Sequence, residues 1–138
     1  MAILDNYITV TDLPKSTDIR ADLTTGALFQ YQKSGGNNFV FNNHQPMYYS
    51  TYLEYPAGVV RGNHYHQHKE ENLLVLTGEI KVKCWLPESP AATKEYVLHA
   101  GQTIDLKPGV AHLCVSAQGA SAIEFCPQPL DPTDQFPV

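Results

Sequence analysis

An all-β chain of the sandwich, jelly-roll or small-barrel kind is predicted by three observations. The apolar runs are short and rich in Val, Ile, Tyr, Phe and Thr; ten prolines and nine glycines punctuate them; and no segment keeps a 3.6-residue apolar period over three turns. Turn signals recur roughly every eight to twelve residues, the spacing expected of antiparallel strands joined by tight loops.

The strands are expected in order over 7–10, 28–32, 39–41, 48–55, 63–67, 72–76, 80–86, 94–98, 103–106, 112–117 and 120–126. The clearest alternation sets Ile80, Val82, Cys84 and Leu86 against Lys81, Lys83 and Trp85, one dry face and one wet. Gly35-Gly36-Asn37-Asn38 and Pro87-Glu88-Ser89-Pro90 read as loops, and the stretch from Pro127 onward has no period, so it reads as an extended or disordered arm. A single domain over 1–138 is expected, with a barrel core over about 39–126 and a C-terminal arm over 127–138.

With 138 residues and 43% hydrophobic content, the chain is long enough to bury a core without staples. Its net charge of -5, with no Lys/Arg cluster, argues against nucleic acid as a partner. No apolar run reaches the roughly 20 residues of a membrane helix, and Met1 to Asn6 lack the blocks of an export signal, so the cytoplasm is expected. Three cysteines without C-x-x-C spacing argue against a disulfide framework and read as small buried hydrophobes.

The chemistry concentrates in Gly58 to Gly78 and in Lys107-Pro-Gly-Val-Ala-His112. In a strand, residues i and i+2 share a face, so His64 and His66 can aim two imidazoles at one point. Glu71 opens the next apolar run and can fold back beside them; His112, directly after a Pro-Gly turn, can add a third nitrogen. Three imidazoles, one carboxylate and no thiolate suit one divalent transition ion, whether Fe, Mn, Ni, Zn or Cu. His68 forms a rival i, i+2 pair with His66 and is read as a rim residue, and Glu70 as turned outward. His44 and His99 have no spacing that ties them to the centre.

This spacing resembles the cupin superfamily. Its first motif, G-x5-H-x-H-x3-4-E-x6-G, is met by Gly58, His64, His66, Glu71 and Gly78. Its second is met by Gly101, Gly109 and His112, with Lys107 where Pro is usual and Ser116 where Asn is usual. The resemblance implies a small double-stranded jelly-roll barrel that forms a homodimer. A narrower likeness lies in Arg61-Gly-Asn-His-Tyr-His66, similar to cupins that isomerise or epimerise nucleotide-linked keto sugars and to cupin domains of capsular-polysaccharide biosynthesis. It implies that His64 is an acid/base and Arg61 an anion or substrate contact. The sugar epimerases and ketoisomerases usually work without metal and do not keep the whole ligand quartet, whereas this chain keeps it, and the capsular-type domain carries a metal.

Tyr49, Tyr52 and Tyr55 precede the first motif and are candidates for a substrate pocket, with core packing as the competing reading. Tyr49 and Tyr55 share parity, and Tyr52 opposes them. Cys114 follows His112 by two residues and is expected on the same wall. Arg61, Lys69 and Lys107 would favour an anionic small molecule if they ring the entrance, though ordinary surface is the expectation for the lysines. Three functions remain open: a keto-sugar or sugar-nucleotide isomerase or epimerase, a non-haem dioxygenase, and a non-catalytic small-molecule sensor.

Overall fold

Alternation of buried and exposed side chains, as over 49–55 and 79–84, gives a sheet one apolar face that a second sheet covers. The computed structural model describes residues 3–138, so Met1 and Ala2, part of the leader reading, lie outside the described residues. The elements are β1 (Ile8–Asp12), α1 (Ile19–Thr25), β2 (Phe29–Lys33), β3 (Gly36–Val40), β4 (Tyr49–Tyr55), β5 (Arg61–Tyr65) and β6 (Glu71–Thr77). They continue as β7 (Glu79–Trp85), β8 (Lys94–His99), β9 (Gln102–Leu106), β10 (Ala111–Val115), β11 (Ala120–Cys126) and β12 (Phe136–Pro137). One sheet runs β1-β9-β6-β11-β4 and the other β12-β5-β10-β7-β8, the two leaves of a jelly roll, with all named pairings antiparallel.

The core between the leaves is built from Leu73 and Val75, Ile80, Val82 and Cys84, Leu98, Ile104 and Leu106, and Ala122. These are the inward positions of β6, β7, β8, β9 and β11, and each large aliphatic contributes roughly 1.5–3 kcal/mol by leaving water. Gly78 makes the tight β6–β7 connection at φ 77, where any added Cβ would run into Gly119 and Ala120.

Three local readings change. The segment 36–38, expected as loop, forms most of β3, because the β2–β3 turn needs only Ser34 and Gly35, both at positive φ (54 and 80), as in a two-residue hairpin. That hairpin stands apart from both leaves, so the strands of the two leaves lie over 8–12, 49–126 and 136–137 rather than starting at 39 and ending at 126. Helix α1 is additional: Asp18 caps it by accepting from Ala21 N at 3.1 Å, and Gly26 ends it at φ 78. Residues 127–138 run back across the barrel mouth, and β12 pairs with β5.

Candidate metal centre

His64 and His112 stand directly opposite one another in the β5–β10 ladder. The ladder slips one place between His112 and Leu113, and Gly62 lies at the slip with φ 91, where an added Cβ would stand 2.9 Å from the His112 carbonyl oxygen. Only glycine lets the strands approach there, and the approach brings the two rings together, with centroids 4.8 Å apart. His66 lies just past the end of β5 and keeps the i, i+2 face. Ligand nitrogens of His64, His66 and His112 all fall within 4.8 Å of one another. His66 and His112 are buried and His64 is half-buried.

Glu71, first in β6, reaches in from the opposite leaf. Its Oε2 lies 3.3 Å from His66 Nε2 and 3.8 Å from His112 Nε2. The far ring nitrogens fix the tautomers. His66 Nδ1 lies 2.5 Å from the Asp134 carbonyl oxygen and His112 Nδ1 lies 3.1 Å from that of Val110. A carbonyl only accepts, so each Nδ1 carries a hydrogen, and in the neutral ring each Nε2 presents a lone pair. The buried Nε2 of His66 has no hydrogen-bond partner. With neutral rings, two imidazole lone pairs and a carboxylate oxygen would share one small space, an arrangement satisfied either by a proton on His66 Nε2 facing Glu71 or by a bound metal ion. The donor set fits a divalent transition ion, which His66, His112 and Glu71 in the wall would hold, with His64 nearest the opening.

The electrostatics of the metal-free site agree with ligand chemistry. Burial, then the neighbouring His112 and His66, push His64 down to about 4. Burial also lowers His112. Both are thus unprotonated near neutral pH, the form that binds metal. Burial opposes ionisation of Glu71, but its contacts with His66 and Glu124, together with His112 and Lys69, hold it well below the usual carboxylate range. Burial likewise opposes charge on His66, and there the Glu71 contact and the Asp134 carbonyl prevail, raising it.

Lys69 is only 8% exposed, against the expectation of a surface lysine. The turn at 67–69 wraps around the Asp134 carboxylate, and the Lys69 ammonium enters the wall 2.6 Å from Glu124 Oε1, 3.4 Å from Glu71 Oε2 and 5.5 Å from the Tyr49 ring centroid. Glu124 was not singled out from the sequence. It sits between Ala122 and Cys126 on the inward parity of β11, and a carboxylate at an inward strand position is the signal that would have found it. Burial, then Glu71, pushes Glu124 up to about 7.

A cavity of about 210 Å³ opens above these groups. Tyr49, Tyr55, Cys114 and Arg61 border it, together with Leu130 and Gln135 of the arm. Arg61 lies over the Tyr55 ring at 5.5 Å and donates from Nη1 to the Glu54 carbonyl at 2.9 Å. Tyr52 does not border the cavity: it is 60% exposed on the outer face of β4, as its opposed parity dictates. His68 is exposed, whereas Glu70 and Lys107 border a separate cavity of about 420 Å³ on the other side of the β6-containing sheet, which holds none of the clustered histidines.

Fold and site together define a jelly-roll barrel of the cupin type, its inward face carrying a histidine cluster. Solved structures share this architecture. The 3,4-ketoisomerase QdtA of Thermoanaerobacterium thermosaccharolyticum, a mutant in complex with TDP-4-keto-6-deoxyglucose, matches with TM-score 0.70 and 13% identity over 94% of this chain and 86% of that one. ChmJ, a 3'-monoepimerase of Streptomyces bikiniensis in complex with dTDP-quinovose, matches at 0.69 and 14% over 80% and 66%. The capsular polysaccharide assembling protein CapF of Staphylococcus aureus matches at 0.62 and 18% over 80% of this chain, which spans 32% of CapF. No family model matches the sequence, and no curated protein does.

Proposed function

We propose that this protein is a metal-dependent isomerase or epimerase of a nucleotide-linked keto sugar. The observation that carries the reading is the convergence of His64, His66, His112 and Glu71 at the base of a cavity with Arg61 at its edge. His66, His112 and Glu71 would hold the ion, with His64 as fourth donor only in the absence of substrate, so that its ring nitrogen is free when the sugar is bound. When bound, a divalent ion would polarise a sugar carbonyl and acidify the adjacent C–H.

The chain's own groups supply the rest. A ring nitrogen of His64, neutral near pH 7 and nearest the opening, takes the proton from the carbon beside the carbonyl. Returning it to the former carbonyl carbon, while the hydroxyl hydrogen of the deprotonated carbon passes to the former carbonyl oxygen, gives isomerisation; protonation of the deprotonated carbon from the opposite face by a second acid or water gives epimerisation. Arg61 pairs with the phosphate oxygens of the nucleotide, a role its planar fork of donors suits. Tyr49 and Tyr55 supply flat walls with hydrogen-bonding tips. The cupin-fold enzymes above, whose names include keto-sugar isomerisation and sugar epimerisation, support this substrate class.

The test is incubation of the metal-loaded protein with TDP-4-keto-6-deoxyglucose in deuterated water. Deuterium entering next to the carbonyl, lost in His64→Asn, is the expected result. Iron in the purified protein with substrate-dependent oxygen uptake and no exchange would replace this reading by a dioxygenase.

A further inference from the structure

We infer that Asp134 is a positioning residue of the metal centre, which makes the C-terminal arm part of the site. The inference rests on the metal reading above, and it starts from two opposite ends of one residue. The Asp134 side chain is clasped by three successive backbone N–H groups: Gln67 N donates to Oδ1 at 2.7 Å, and His68 N and Lys69 N donate to Oδ2 at 3.1 and 3.0 Å. Successive N–H groups converging in a turn form an anion-binding concavity, and here its anion comes from the same chain, more than sixty residues away. The Asp134 main-chain carbonyl accepts the Nδ1–H of His66 at 2.5 Å.

These contacts act on the same ligand from both sides. The carboxylate shapes the 67–69 turn that follows His66, and the carbonyl fixes the ring and its tautomer, so the Nε2 lone pair faces Glu71 and the other histidines. Asp134 is 6% exposed although it lies in a twelve-residue segment that the sequence marks as an arm. A carboxylate buried at the end of an aperiodic tail loses its hydration, and the three N–H donors offset that loss. Phe136 stacks on Tyr65 with centroids 5.3 Å apart and holds the arm's end on β5. Between these anchors and β11, Leu130, Asp131 and Pro132 form one side of the cavity. The arm thus closes the site and orients a ligand in it.

The experiment compares Asp134→Ala, Asp134→Asn and Thr133→Ala with the full-length parent. Thr133 is the control, because its hydroxyl and N–H bond only to Asp131 within the arm. Two quantities are read: the zinc dissociation constant by competition with a chromophoric chelator, and the protonated ring nitrogen of His66 in metal-free protein by long-range ¹H–¹⁵N NMR at a pH high enough to keep the ring neutral. Asp134→Ala is expected to weaken zinc about 10–100-fold and to convert the single Nδ1–H tautomer to a mixture. Asp134→Asn, which keeps one acceptor oxygen, should lie between, and it decides the matter if the alanine variant does not fold. Thr133→Ala should match the parent. Parental affinity and tautomer in both Asp134 variants would overturn the inference, as would an equal loss in Thr133→Ala. If the parent binds no zinc, the metal reading fails while the tautomer result still decides the role of Asp134.

Discussion

Replacing Lys69 by Met removes the one ammonium that separates two buried carboxylates, Glu71 and Glu124. Loss of charge-assisted hydrogen bonds to these groups costs about 1.5–3 kcal/mol at any pH. A second contribution depends on pH. In the parent, the folded-state carboxyl of Glu124 is raised from 4.5 to about 7, so the unfolded chain releases that proton first and stability falls as pH climbs through this window. Without Lys69, Glu124 stays protonated beside Glu71 beyond that point. At pH 6 both proteins hold the proton and the extra penalty is nearly nil. At pH 8 the variant keeps it one unit past the parent's value, about 1.4 kcal/mol more.

The expected destabilisation is therefore about 1.5–3 kcal/mol at pH 6 and about 3–4.5 kcal/mol at pH 8. Urea unfolding of both proteins with chelator present, at the two pH values, measures it. Equal destabilisation at both pH values, or a change below about 0.5 kcal/mol, would refute the coupling of Lys69 to the carboxylates.

Further outcomes follow from the same geometry. His66→Ala should abolish stoichiometric metal binding while His68→Ala retains it, checked by metal analysis after dialysis; equal loss would mean that His68 is a ligand. Gly62→Ala forces a Cβ toward the His112 carbonyl at φ 91, so it should lower stability by about 1–3 kcal/mol and weaken metal binding, read by urea unfolding and zinc titration. The folded-state values of His64 and His112 are lowered, so the unfolded chain takes up protons first and these rings cost stability as pH drops below about 6.5, while Glu124 contributes it over the same interval. The metal-free melting temperature of His64→Gln should therefore fall less, or rise more, than the parent's as pH drops from about 6.5 toward 4. Identical profiles of the two proteins in chelator would contradict the burial of this ring. Tyr52→Ser should leave substrate-induced thermal shifts at parental size, because its ring lies outside the cavity, whereas Tyr49→Ser should reduce them.

The legible part of the molecule was the part written in short-range patterns. Period-two alternation in 80–86 placed β7 and its dry face, although Trp85, expected on the wet face, is buried as well, and parity alone separated Tyr49 and Tyr55 from Tyr52. The H-x-H spacing and the Pro-Gly turn before His112 marked side chains that meet from β5, its exit and β10. What was hidden depended on long-range contact. Nothing local to Lys69 says that its ammonium enters the barrel, because the cause is Asp134, sixty-five residues away. The arm has no period because its order comes from two anchors, the turn at 67–69 and the ring of Tyr65, rather than from a repeating face. Helix α1 has seven residues, too few for its periodicity to register, although Asp18 and Gly26 mark both its ends.

The most direct measurement is zinc titration of metal-free protein by calorimetry at pH 7.5, followed by X-ray absorption at the zinc edge. One ion per chain, with a first shell of nitrogen and oxygen and no sulfur, is the predicted result. Heats of dilution alone with zinc, iron, manganese, nickel and copper, or a shell containing Cys114 sulfur, would contradict a centre built from His64, His66, His112 and Glu71.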